Sequence, residues 1–232
     1  TLRPRRQSGI VFNCSINAST PISIALISSL PVCFPLARES TLHQQGGEIA
    51  WGDESGLHST AHRGRGYSPR GHTPEVLLSQ KKRSHVNFIA SLSNQGQIQF
   101  MLYLGTLNSE VFITFVQRLI AQRERKLFWI IDRHPVHQSK RVKQWLANHH
   151  DQIEVFFLPS YSPELNPVEY LNGDVKQGVH DKSPSRNVSQ LKARVLSQLR
   201  TLQKLPQRVQ SYFEHPTIAY ASQKMHSLLL PG

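Results

Sequence analysis

Apolar and polar positions alternate with two distinct periods along this chain. In residues 47–53 the period is two, which sets Ile49, Trp51 and Asp53 on one face of a strand. Residues 55–74 carry Gly56, Gly64, Gly66, Pro69, Gly71 and Pro74 and read as loop. Residues 85–92 (HVNFIASL) and 97–104 (QIQFMLYL) read as a hairpin turned by Asn94, Gln95 and Gly96. The period then changes to that of a helix. Val111, Phe112, Phe115, Val116, Leu119 and Ile120 form one stripe behind a cap at Asn108 or Ser109. A strand from Lys126 to Ile131 ends at Asp132. A short helix over 138–149 follows, with Val142, Trp145 and Leu146 inward, and then a strand over 153–158. The unbroken run Val155-Phe156-Phe157-Leu158 suits a strand buried on both faces. From Asn187 to Lys204, Val188, Leu191, Val195, Leu199 and Leu202 share one helix face, and Pro206 stops that helix.

Three strands able to pair antiparallel, followed by β-α-β units, make a mixed α/β fold: a five-stranded sheet flanked by helices. Residues 1–45 show no sustained period and are left as an unassigned, disordered or remnant arm. The folded domain is expected over 46–222, with 223–232 as a tail.

Residues 156–169 (FFLPSYSPELNPVE) carry the candidate chemistry. Pro159, Pro163 and Pro167 exclude a strand or helix interior. Asn166 is a good N-cap, Pro167 fits the first helical position, and Glu169 falls three residues after the cap. A buried strand thus leads through a stiff loop into a helix with a carboxylate in its first turn. Asp132 ends one apolar run and Asp53 another. Asp53, Asp132 and Glu169 at the ends of neighbouring elements form a candidate divalent-metal site, with Mg²⁺ or Mn²⁺ as the ion. Plainer readings exist for each: a turn residue for Asp53, a capping-box glutamate for Glu169. Asp132 follows five apolar residues, where an unpaired carboxylate would be costly. Glu54 and Glu164 are rivals, but adjacent strand residues face opposite ways, so one of Asp53 and Glu54 is expected to join the site. His134 and His137 stand three apart with no obvious further zinc ligands.

The formal net charge is +12 and the pI about 10.1. It is uneven: residues 1–50 carry net +2, residues 51–169 net +4, and residues 170–232 net +6. Such a balance fits a polyanionic partner. In RGRGYSPRGHTP, Arg63, Arg65 and Arg70 surround Tyr67; the arginines can grip phosphates and the ring can stack on a base. Cys14 and Cys33 form no CxxC pair, which leaves no zinc ribbon or disulfide framework and is compatible with a reducing cytosol. No apolar run reaches the ~18 residues of a membrane span. Residues 22–34 resemble a signal peptide only faintly, since Pro31 interrupts them. The first residue is Thr1, as expected of a fragment or a truncated reading frame.

The segments FLPSYSPELNPVEYLN, IIDRHPVHQS and WGDESGLHS together resemble mariner-related insertion-sequence transposases of the DDE type, over roughly residues 48–222. The resemblance implies a ribonuclease-H-like fold and metal-dependent DNA strand cleavage and strand transfer during transposition. It assigns Asp53, Asp132 and Glu169 as catalytic residues and metal ligands. It implies double-stranded DNA, both element ends and target, as the partner, a homodimer as one arrangement it allows, and a bacterial cytoplasmic, nucleoid-associated location. His137 matches a family histidine, with a phosphate contact or support of a ligand as its role. Relatives have Asn after the second aspartate where this chain has Arg133, whose guanidinium would repel metals or bind substrate phosphate. Relatives also carry a helix-turn-helix ahead of the catalytic domain, and residues 1–45 show no such pattern. The alternative readings are a catalytically inactive remnant that binds DNA without sequence preference, and an RNA–DNA hybrid ribonuclease on the same fold.

Overall fold

In the computed structural model, residues 47–59, 68–72, 84–121, 123–160, 162–181 and 185–221 are described. Five strands form one sheet: β1 (Glu48–His58), β2 (His85–Leu92), β3 (Ile98–Tyr103), β4 (Leu127–Ile131) and β5 (Ile153–Phe157). Their order is β3-β2-β1-β4-β5. β1–β2 and β2–β3 pair antiparallel, β1–β4 and β4–β5 parallel. This is the expected mixed sheet.

Each face of the sheet carries its own core, as strand alternation requires. Helices α1 (Ser109–Ile120) and α2 (Lys140–Ala147) accompany one core, which takes Ala50, Ile89, Trp129 and Ile131 from the strands. Helices α3 (Val168–His180), α4 (Val188–Gln203) and α5 (Pro206–Ser211) cover the other, which takes Ile49, Trp51, Phe88 and Phe128. Asn108 caps α1 by accepting from the backbone N–H groups of Glu110 and Val111, as the sequence suggested. Ser139 caps α2 and Asn187 caps α4 in the same way. The hairpin turn closes at Gly96, whose φ of +88° suits glycine. Among the described residues no helix is long and apolar enough to cross a membrane.

Several expectations are corrected. β1 does not stop at residue 53. It runs to His58, because β2 supplies hydrogen-bonded partners as far as the His58–His85 pair. Residues 55–58 are therefore strand rather than loop. β5 is not buried on both faces: Glu154, Val155, Phe156 and Phe157 are only half-buried. It is an edge strand, so no neighbour covers its outer side; the interior strand buried throughout is β4. Val188 is 37% exposed, since it sits in the first turn of α4, beyond the covered stretch. Pro206 ends the segment containing α4 by opening a further helix, α5, as its fixed φ allows at a first helical position.

Candidate active site

The β1–β4 pairing places the two aspartates together. Its last pair is Trp51 with Ile130. Two residues further along each strand stand Asp53 and Asp132, on the same face by alternation. β4 ends there, whereas β1 continues along β2. Asp53 thus lies within a strand, and Asp132 lies just past the end of its neighbour.

The proline loop brings in the third carboxylate. The Leu158 N–H donates to the Ile131 carbonyl at 2.8 Å, which holds the loop's start beside the end of β4. Pro163–Leu165 form a 3₁₀ turn. Asn166 then acts in two directions. Its Oδ1 accepts from the Val168 N–H at 3.1 Å, and its Nδ2 donates to the Gly52 carbonyl at 3.1 Å. The helix cap is thereby fastened to the residue preceding Asp53. Pro167 already has helical dihedrals (φ −61°, ψ −21°), and α3 follows. Tyr220 secures the loop from below: its hydroxyl donates to the Leu165 carbonyl at 2.6 Å and accepts from Trp51 Nε1 at 3.3 Å.

Glu169 does not close a capping box. Among the described residues, no side-chain hydrogen bond caps Pro167, and the Glu169 carboxylate instead accepts from Asn172 Nδ2 at 3.4 Å. That same Nδ2 donates to Asp53 Oδ2 at 2.9 Å. Asn172 is buried, and its amide joins the two carboxylates. Sequence reasoning missed it; the available signal was its position three residues after Glu169, on the same helix face. Asp53, Asp132 and Glu169 all line one open cleft of about 460 Å³, with Arg133, His134, Ser160, Ser162 and Asn166.

The electrostatics are unequal. Burial, followed by the charges of Glu169, Glu54 and Asp132, pushes the Asp53 carboxyl up to about 8. For Asp132, burial also raises the pKa, but hydrogen bonds from His137 and the His134 N–H outweigh it and hold the carboxyl below its ordinary value. His137 Nδ1 lies 3.1 Å from Asp132 Oδ1 and 3.2 Å from its carbonyl. Of the two aspartates, Asp53 is therefore the one that takes up a proton more readily.

Glu54 points to the other face. Its Oε2 lies 3.6 Å from His137 Nε2 and its Oε1 3.8 Å from His134 Nδ1. Burial, partly offset by His137 and reinforced by Asp132, pushes its carboxyl up to about 7. Of the residues expected to touch DNA, Arg63, Arg65 and Tyr67 lie outside the described residues. Arg70 is exposed in a turn. Arg133 borders the cleft, but its Nε donates to the Leu158 carbonyl at 3.3 Å and its guanidinium lies 5.9 Å from the Phe157 ring centre. His137 is only 2% exposed and packs 4.5 Å from the Phe112 ring, so its contacts are inward, with Asp132 and Glu54. Glu164 stands in the 3₁₀ turn, outside this cleft lining.

Residues 48–192 match the family model described as DDE superfamily endonuclease. The chain is 26% identical over 135 residues to an insertion element IS630 uncharacterized 39 kDa protein of Shigella sonnei, covering 57% of this chain and 38% of that protein. It thus spans well under half the length of this curated relative. Among solved structures, the Mos1 mariner paired-end complex with Mn superposes with a TM-score of 0.57 at 16% identity, covering 81% of this chain and 59% of that one. The paired-end complex with Mg gives 0.57 at 14% identity, covering 95% and 68%. The isolated catalytic domain of Mos1 mariner transposase gives 0.51 at 14% identity, covering 79% and 88%. At these identities the likeness establishes the fold, which is ribonuclease-H-like.

Proposed function

Starting from a chain that belongs to the DDE superfamily endonucleases, we propose that it is the catalytic domain of a DNA transposase, cutting element ends and joining them to target DNA. The observation that carries this is the convergence of Asp53, Asp132 and Glu169 on one open cleft. Three carboxylates drawn together at a cost, as the raised Asp53 pKa records, favour a cation over a purely structural role.

The donor set fits Mg²⁺ or Mn²⁺. It consists of carboxylate oxygens in a cleft open to water, which hard ions prefer. Bound there, such ions would polarise the scissile phosphodiester and activate the attacking oxygen. The chain's own residues do the rest. Asp132 is kept anionic by His137 and the His134 N–H, so one of its oxygens is fixed while the carboxylate stays ready to coordinate. Asn172 holds Asp53 and Glu169 in mutual register. Asn166 ties the helix carrying Glu169 to β1. Arg133 stands at the cleft wall, where it can meet a substrate phosphate.

Double-stranded DNA is the partner, and the net charge of +12 supports it. The paired-end arrangement named for Mos1 makes a dimer on two DNA ends the assembly to test. The relative is bacterial, which supports a nucleoid-associated location in the cytoplasm. The carboxylate cluster favours this reading over a remnant that only binds DNA.

The test is nicking of supercoiled plasmid and joining of a labelled element end, with and without Mg²⁺. Cleavage that needs the metal and vanishes in Asp132→Ala is expected. Metal-independent cleavage, or cleavage of RNA–DNA hybrid in preference to duplex DNA, would overturn the assignment.

A further inference from the structure

Beside the cleft, whose wall His134 also lines, Glu54, His134 and His137 come together. A ligand atom from each lies within 4.8 Å of the others. The two histidines reach the same spot because the HPVH turn folds tightly: the His137 N–H donates to the His134 carbonyl at 3.0 Å. Glu54 arrives from β1, whose alternation turns it away from Asp53.

Two atoms in this cluster are buried without a hydrogen-bond partner: Glu54 Oε2 and His137 Nε2. They face each other at 3.6 Å, and the His137 side chain is 1% exposed. His137 Nδ1 is already committed, 3.1 Å from Asp132 Oδ1. A ring that keeps a single proton on Nδ1 would turn an Nε2 lone pair toward that carboxylate oxygen. Two such acceptors buried face to face call for a cation between them. The surroundings favour a metal over a proton alone. The separations of 3.6 and 3.8 Å are close to the roughly 3.3 Å between ligands of a tetrahedral ion with ~2.0 Å bonds. Holding one histidine nitrogen on a carboxylate while the other binds metal is the usual way such ligands are oriented. His134 is 37% exposed, so a coordination position opens to solvent there.

We propose that Glu54, His134 and His137 form a second cation site, adjoining the carboxylate cleft, that takes a borderline transition-metal ion of the Zn²⁺ class. Two imidazoles and one carboxylate select such an ion over Mg²⁺, which prefers oxygen ligands. The ion clamps the turn after β4 to β1. Through His137 it fixes the carboxylate of Asp132. The site depends on its own ligands and not on the chain's cleaving DNA.

Co²⁺ is the probe, because low-coordinate cobalt with nitrogen ligands absorbs visibly far more strongly than six-coordinate cobalt on oxygen ligands. The full chain is stripped with chelator and titrated with Co²⁺ in excess Mg²⁺. One strongly absorbing ion per chain is expected, displaced by Zn²⁺ and unaffected by Glu169→Gln. His134→Ala, which changes a partly exposed side chain and leaves the core intact, should weaken binding by ~100-fold or more, since even an outer partner of a metal ligand is worth 10–100-fold. Glu54→Gln should weaken it similarly. The proposal is overturned if the parent shows no saturable strong absorption. It is also overturned if the absorption survives both His134→Ala and Glu54→Gln, or disappears in Glu169→Gln.

Discussion

The two pockets flanking β1 start from adjacent residues and differ in nearly everything else. Asp53 opens into a cleft lined by carboxylates and an amide, under a helix that the proline loop delivers. Glu54 faces two imidazoles in a turn, against the Phe112 side of the sheet. The first pocket gathers three carboxylates and opens widely to water, with His134 and Arg133 at its wall. The second includes nitrogen and is sealed around His137. One residue of displacement along a strand therefore separates a site suited to a hard ion from one suited to a softer one. His137 links them, touching Asp132 on one edge of its ring and Glu54 on the other.

The largest expected effect separates the pockets by metal. Mg²⁺ at about 100 times its dissociation constant should stabilise the parent by about 2.7 kcal/mol, because only the folded chain assembles the cleft. Thermal melts of a variant with Ala at Asp53, Asp132 and Glu169 should show no Mg²⁺ response, while His134→Ala should keep most of it. If His134→Ala loses the Mg²⁺ response as completely, the two pockets are one site.

Packing beneath the strand sets the next effect. A Cβ added to Gly52 would meet the Trp129 ring at 2.3 Å. Gly52→Ala should therefore cost ~1–3 kcal/mol in denaturant unfolding as the ring is displaced. Because Gly52 also receives the Asn166 amide, the same variant should reduce Mg²⁺ binding. Unchanged stability would show that Trp129 has room to move.

The amide bridge comes next. Asn172→Leu keeps the bulk but leaves Asp53 and Glu169 without their shared donor, so the metal-free chain should lose ~1–3 kcal/mol. Saturating Mg²⁺ should restore much of that difference, since a cation can replace the donor. A loss that is the same with and without Mg²⁺ would mean that Asn172 serves packing only.

A pH effect of the same origin follows. Asp53 and Glu54 titrate near 8 and 7 in the folded chain, well above their ordinary values near 4. Between those limits the folded state holds protons that the unfolded state has released, so stability falls as pH rises from about 4 to about 8. His137, also raised, contributes stability that is present below its ordinary value and lost as pH rises through its raised one. The metal-free melting temperature should thus be lower at pH 8 than at pH 6, and Asp53→Asn should flatten the slope. A rising profile would contradict the burial of these carboxylates.

The smallest effect concerns Arg133. Its guanidinium rests on the Leu158 carbonyl and near Phe157. It still borders the cleft, where a fixed positive charge opposes metal entry. Arg133→Asn should lower the Mg²⁺ concentration needed for plasmid nicking and raise a weak parental rate. If neither changes, Arg133 does not limit the reaction.

Local rules were enough to find most elements and the three acids. The hairpin, the α1 and α4 caps and the proline loop all follow from residue types and periods within a few positions of each other. So did the expectation that only one of Asp53 and Glu54 would join Asp132, because a strand alternates faces whatever surrounds it. The exposure of β5 and the length of β1 were not legible, since they depend on which strands have neighbours. An apolar run looks the same at the edge of a sheet as at its centre. Asn172 and Tyr220 were invisible for a related reason: their partners lie 119 and 55 positions away in sequence, and no local pattern marks such contacts. The sequence by itself determined which carboxylates and imidazoles were available and which way each strand residue would face. Only the tertiary structure decided that His137 would be buried between two of those carboxylates, because burial and long-range pairing are properties of the packed sheet and not of any stretch of chain.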